Sequence, residues 1–150
     1  MADRPPSPLV LDTHVWIWLM EGDRRRLSDA AIEAVSAAAR EGAVRISAIS
    51  VWELAMLDAT GRISLSRPID DWVNEALGTP GVLLLPLSPE IAVESTRLPG
   101  SPHGDPADRI LMASARILGG RLATCDTGIL DYGVAGHLAV LDGRHRRLTR

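Results

Sequence analysis

Short apolar runs alternate along the chain with longer stretches of helical periodicity, and polar residues, glycines or prolines punctuate them. Leu9-Val10-Leu11 stops at Asp12, the pattern of a buried strand. Thr13 to Met20 carries helical or turn character before Glu21-Gly22-Asp23 closes it. Ser28 opens a helix with Asp29 in its first turn, Ala30, Ile32, Ala34, Val35 and Ala38 follow, and Gly42 ends it. Val44 to Ser47 predicts a second strand, and Ser50 to Thr60 a third helix stopped by Gly61. Pro68-Ile69-Asp70 begins a helix that runs to Leu77, and Gly81 to Pro86 frames another strand. Ser88-Pro89-Glu90 starts a helix with proline at its first position, and that helix ends by Leu98-Pro99-Gly100. Beyond a loop from Gly100 to Gly104, Pro106 to Leu118 is the longest well-patterned helix, closed by Gly119-Gly120. Arg121 to Thr124 predicts a strand that stops at Asp126, and Leu138 to Leu141 a last one.

Strands and helices that alternate, with connections long enough for crossovers, predict an α/β fold. The expected form is a three-layer α/β/α sandwich around a short, mainly parallel sheet. Ligand sites in such sheets lie beyond the carboxyl ends of the strands. Asp12 and Asp126 stand at two of the predicted ends. A length of 150 residues predicts one domain over residues 1–150, with residues 1–7 (Pro5 and Pro6 among them) as a frayed leader and 142–150 as an arginine-rich tail.

Composition removes whole classes of chemistry. All 16 basic residues are arginine and the chain has no lysine, which excludes P-loop NTPases, protein kinases, Schiff-base enzymes and Ser-Lys hydrolases. Apolar residues make up 46%, enough for a core, but with four Trp, one Tyr and no Phe that core must be aliphatic. The single cysteine, Cys125, excludes an internal disulfide framework or a multi-cysteine metal site. The apolar stretch from Leu9 to Met20 is too short to span a bilayer and lacks the flanks of a leader peptide, so a cytoplasmic protein without a membrane segment is expected. A net charge of −3 is not the footprint of a nucleic-acid binder, yet it hides clusters at Arg24-Arg25-Arg26 and at Arg144, Arg146, Arg147 and Arg150.

The carboxylates each admit an ordinary role. The residues alone favour a helix N-cap for Asp12 and for Asp126. Asp105, followed by Pro106, is a near-ideal cap, and Asp108 suits the positive end of the same helix. Glu53 has Ile49, Ser50, Met56 and Leu57 as helical neighbours, so it is either half-buried with a partner or exposed through a gap in the pattern. The histidines His14, His103, His137 and His145 form no ligand-spaced pair; His14 reads as a packed or capping residue, and His103 lies in the loop before Asp105. No serine stands in a hydrolase elbow. Trp16, Trp18, Trp52 and Trp72 fall in helices and read as core rather than as a platform for bases.

Taken in order, Leu9-Val10-Leu11-Asp12-Thr13-His14, Ile46-Ser47 with Ser50-Val51-Trp52-Glu53, His103-Gly104-Asp105-Pro106-Ala107-Asp108-Arg109 and Leu122-Ala123-Thr124-Cys125-Asp126 resemble a PIN domain. More narrowly, they resemble the VapC-type toxins of bacterial toxin–antitoxin pairs. The resemblance runs from about Leu9 to Leu141, and Asp105-Pro106-Ala107-Asp108-Arg109 with the helix behind it is its most distinctive piece. It implies a PIN-like α/β/α sandwich and a ribonuclease that uses Mg²⁺ or Mn²⁺ and a metal-activated water. Carried over by position, Asp12, Glu53, Asp108 and Asp126 match the family's acidic quartet as catalytic and metal-binding residues. Asp105 matches an additional acid, either a further metal ligand or only a cap. Thr13 and Thr124 are implied as supporting hydroxyls. A homodimer, an RNA substrate and a small antitoxin that occludes the acidic pocket are also implied.

The implied quartet is physically coherent. Two carboxylates about 4 Å apart repel by roughly 4 kcal/mol at an effective dielectric near 20. Hard divalent cations relieve that repulsion and prefer oxygen ligands. RNA would then approach through the metal and surrounding arginines, for which Arg109, Arg24, Arg25 and Arg26 are candidates beside the ordinary role of solvated surface charge. Two alternatives stand. One is a PIN-like partner-binding or regulatory module without catalysis. The other is an acidic-pocket phosphatase or receiver domain, disfavoured because it needs a lysine this chain lacks.

Overall fold

In the computed structural model, described for residues 6–102 and 104–146, the alternation becomes a five-stranded sheet. The strands are β1 (Leu9–Leu11), β2 (Val44–Ser47), β3 (Val82–Leu85), β4 (Arg121–Thr124) and β5 (Val140–Asp142), in the order β3-β2-β1-β4-β5. Every pairing is parallel, with Leu9 beside Val44 on one side and Arg121 on the other. The helices are α1 (Thr13–Glu21), α2 (Asp29–Arg40), α3 (Ala48–Ala59), α4 (Ile69–Leu77), α5 (Pro89–Ser95), α6 (Pro106–Leu118) and α7 (Thr127–Val134).

The sheet is apolar on both faces because helices cover both. Successive strand side chains point to opposite sides. Leu9 and Leu11 therefore join a core with Trp16, Leu54 and Trp72, while Val10 joins a second core with Leu111, Met112 and Ile129. Helices α1 to α4 cover the first face and α5 to α7 the second, which is the expected α/β/α sandwich. Gly81 shows how tightly the layers approach: its φ is +84°, and a Cβ there would collide with the carbonyl of Ala39 at the end of α2.

Most predicted elements stand within a residue or two of their expected ends. Three differ. Helix α3 starts at Ala48, because the Ser47 hydroxyl accepts from the Ile49 N–H and caps it earlier than Ser50 would. Helix α5 ends at Ser95, well before Leu98-Pro99-Gly100. Helix α7 was not expected at all, since Gly128 and Gly133 hide its apolar spacing; the Asp126 cap and the burial of Ile129, Leu130 and Tyr132 hold it. Among the described residues no helix is long and apolar enough to cross a membrane.

The strand order places the switch in connection direction at β1. From there the chain first builds outward to β2 and β3, then returns to β4 on the other side of β1. A crevice beyond the carboxyl ends of β1 and β4 follows from that topology.

Candidate active site

Asp12 leaves the end of β1, and Asp126 follows the end of β4, the neighbouring strand. Glu53 projects from the second turn of α3, which begins at the end of β2, and Asp105 and Asp108 stand at the head of α6. All five line one open hollow of about 400 Å³, together with His14, Trp18 and Cys125. Acids up to 114 residues apart in sequence thus meet because parallel strands deliver them to one edge of the sheet.

The ordinary roles sort out differently for each acid. Asp12 occupies the cap position of α1 but makes no side-chain cap bond, contrary to expectation. Its Oδ2 instead accepts from the Thr124 hydroxyl at 2.7 Å, and the residue is buried. Thr124 Oγ1 in turn accepts from the backbone N–H of Asp126 at 3.0 Å, so one hydroxyl fixes two of the acids relative to each other. Asp126 does cap α7, its Oδ1 accepting from the Ile129 N–H at 3.0 Å. Asp105 caps α6 through Oδ1, which accepts from the Ala107 N–H at 2.8 Å and the Asp108 N–H at 3.4 Å. Both caps line the hollow as well, so capping and site membership are not alternatives here.

Glu53 is half-buried with a partner. Thr13 Oγ1 lies 2.5 Å from Glu53 Oε1 and 2.8 Å from Ser50 Oγ. A hydroxyl has one proton, so Thr13 donates it to the carboxylate and accepts from the buried Ser50 hydroxyl. Thr13→Val removes both contacts and leaves a buried Ser50 hydroxyl to find a new acceptor. A loss of about 1–2 kcal/mol in unfolding free energy is expected, readable by urea titration. A stability within error of wild type would mean that the hydroxyl chain holds nothing in place.

The electrostatics record how close the acids are. Burial, and then the charges of Asp12, Asp105, Asp126 and Glu53, push the Asp108 carboxyl up to about 7. Burial raises Asp12 against the opposing hydrogen bond from Thr124. It also raises Glu53 against the bond from Thr13, with Asp12 and Asp105 adding to the rise. Burial, with Asp142 and Asp12, pushes the Cys125 thiol up to about 11.

The donor set suits a hard divalent cation. It is an all-oxygen cluster with surplus negative charge in a partly desolvated hollow, and such charge is stable only when protonated or neutralised by a cation. Among the described residues no three of these side chains are drawn tightly enough to grip an ion by themselves.

The remaining candidates separate. Arg109, on α6, is not part of the hollow's wall; its charge acts on Tyr132, and its Nε is buried without a hydrogen-bond partner among the described residues. Arg24, Arg25 and Arg26 lie in the turn between α1 and α2, where Arg24 pairs with Asp29 and Arg26 with Asp23. His103, Arg147 and Arg150, with residues 1–5 of the expected leader, lie outside the described residues.

Of the four tryptophans expected in the core, one departs from that role and one meets it in part. Trp16 and Trp72 are buried and meet edge to face at 5.0 Å. Trp52 is 57% exposed, whereas Trp18 is half-buried, packed against the first core and also part of the wall of the hollow. Trp16 and Trp18 sit two residues apart on one helix, about 200° around it, so the two cannot be buried equally; that spacing is the available signal. His14, expected to be packed or capping, is exposed at the rim against Trp18, their ring centroids 5.6 Å apart.

Known proteins resemble this chain in sequence and in fold. A family model described as PIN domain matches residues 9–134. Ribonuclease VapC22 of Mycobacterium tuberculosis (strain ATCC 25618 / H37Rv) is 36% identical over 126 residues, covering 84% of this chain and 92% of that protein. Among solved structures, VapBC2 from Rickettsia felis bound to a promoter DNA fragment is similar at a TM-score of 0.65 and 13% identity, over 90% of this chain and 98% of that one. DNA-bound VapBC from Salmonella typhimurium is similar at a TM-score of 0.61 and 17% identity, over 91% and 98%. At those identities the structural likeness speaks to the fold.

Proposed function

The chain belongs to the PIN domain family, in its VapC-type branch, and on that premise we propose that it is a divalent-metal-dependent endoribonuclease, the toxin of a toxin–antitoxin pair. The observation that carries this reading is the convergence of Asp12, Glu53, Asp105, Asp108 and Asp126 on one hollow at the carboxyl edge of the sheet. In it, Asp12, Asp108, Asp126 and Glu53 hold Mg²⁺ or Mn²⁺, and Asp105 joins them or only caps α6. Bound there, the cation supplies a water acidic enough to lose its proton near neutral pH and positive charge against the phosphoryl oxygens.

The chain's own residues set the stage for that chemistry. Thr124 holds the Asp12 carboxylate and the Asp126 backbone in register, and Thr13 holds Glu53. The substrate is RNA, approached through the arginines of the α1–α2 turn. The protein acts in the cytoplasm as a homodimer and is silenced by a small antitoxin seated over the hollow. The exposed Leu83, Leu84 and Leu87 at and beside the β3 edge offer apolar surface for such assembly.

Single-stranded RNA incubated with the purified protein should be cut with added Mg²⁺ or Mn²⁺ and left whole with excess chelator. Intact RNA under both conditions, with the protein folded, would replace this reading with the non-catalytic binding module. Induced expression should arrest growth, and co-expression of the adjacent small gene should release it.

A further inference from the structure

An acidic hollow repels a polyanion, so RNA must be held by something at the rim. Trp18 forms part of the wall, and the guanidinium carbon of Arg26 sits 5.4 Å from the centroid of its ring. That is cation–π range. Arg26 Nε also lies 3.4 Å from Asp23 Oδ2, three residues earlier in the same turn. Two contacts thus restrain the guanidinium, which lies over the Trp18 ring with its Nε toward Asp23, and its terminal amino groups carry no ion pair among the described residues. The Arg26 carbonyl is 3.9 Å from the Sγ of Cys125, a second wall residue. Arg26 is not itself part of the wall, but its guanidinium and its carbonyl each touch a wall residue, Trp18 and Cys125.

We propose that Arg26, stacked on Trp18 and oriented by Asp23, is a phosphate clamp that holds the RNA backbone beside the phosphate being cut, with Trp18 as its positioning residue. The proposal rests on the ribonuclease reading and names how that site holds its substrate. A planar guanidinium suits the task because it presents paired N–H donors to phosphate oxygens, and stacking it beforehand lowers the entropy lost on binding. His145 Nε2 lies 2.9 Å from the Arg24 carbonyl, which brings Arg146, and Arg144 paired with Asp142, onto the same turn.

The test is binding of a fluorescein-labelled single-stranded RNA to the full chain in chelator, where no cleavage occurs, followed by cleavage kinetics with Mg²⁺. Arg26→Ala and Trp18→Ala should each weaken binding about tenfold, and the double variant little more than the stronger single one. In the kinetics the loss should fall on KM and spare kcat. Arg26→Ala should also lower the slope of log affinity against log salt by about one phosphate. Trp18→Phe should keep most of the affinity, Arg26→Lys should not, and Arg40→Ala at the far end of α2 is the control. Single-variant losses below twofold, or fully additive losses, overturn the clamp. Unchanged RNA binding with lost inhibition by the antitoxin would assign Arg26 to a carboxylate of that partner and overturn it too. A wild type that binds RNA in chelator yet never cuts it would instead remove the ribonuclease reading.

Discussion

Asp12→Asn is expected to lower metal-dependent RNA cleavage by about a thousandfold while the protein stays folded. The size follows from losing several kcal/mol of charge stabilisation at the cation, each 1.4 kcal/mol or so being tenfold in rate. The survival of the fold follows from the site. Asparagine has the same shape and keeps an oxygen to accept from the Thr124 hydroxyl, and the change removes one negative charge from a cluster of five. Asp108→Asn should behave alike, because the Asp108 side chain feels Asp12, Asp105, Asp126 and Glu53 at once. Asp105 separates its two roles by a different comparison. Asparagine caps a helix as well as aspartate does, so Asp105→Asn preserves the start of α6 and reports only on the lost charge. Cleavage assays at fixed metal concentration, read beside circular dichroism melts, check the series. Full activity of both Asp12→Asn and Asp108→Asn would remove these residues from the chemistry.

What could be read in the sequence follows the physics of each element. The central strand β1 is buried on both faces, so three apolar residues ended by an aspartate announced it. The length of Pro106 to Leu118 and its capping signals did the same for α6. Helix α7 was invisible because two glycines lower its intrinsic propensity, and packing of Ile129 and Tyr132 against the second core decides its state. The acids themselves were ambiguous one at a time, since Asp105 and Asp126 satisfy the requirements of an ordinary cap. Only the order of the strands, which no local pattern encodes, puts the ends of β1 and β4 side by side. The Trp18–Arg26 stack was hidden for the same reason: it depends on the turn after α1 folding back over that helix.

The metal-free protein should be more thermostable near pH 5.5 than near pH 8, and Mg²⁺ should reverse that order. The sign comes from proton linkage. Burial and the neighbouring acids push the Asp108 carboxyl up to about 7 from its ordinary 3.8, so between those limits the folded state binds more protons than the unfolded chain. Stability therefore falls as pH rises through that window and reaches its low plateau above about 7, when the hollow holds its charge without compensation. Asp12 and Glu53, also raised, add to the slope in the same direction. Asp142 opposes it only at lower pH, because its hydrogen bonds with Arg144 lower its carboxyl, and the stability they give is lost in acid below the chosen window. Divalent cations take the place of the bound protons, so added Mg²⁺ should raise the melting temperature by several degrees near pH 8. It should do little near pH 5.5, where protons compete for the same oxygens. Asp108→Asn should flatten the pH slope measured in chelator. A melting temperature in chelator that rises steadily from pH 5.5 to pH 8, or a Mg²⁺ shift equal at both ends, would mean that the carboxylates of the hollow do not share one electrostatic field.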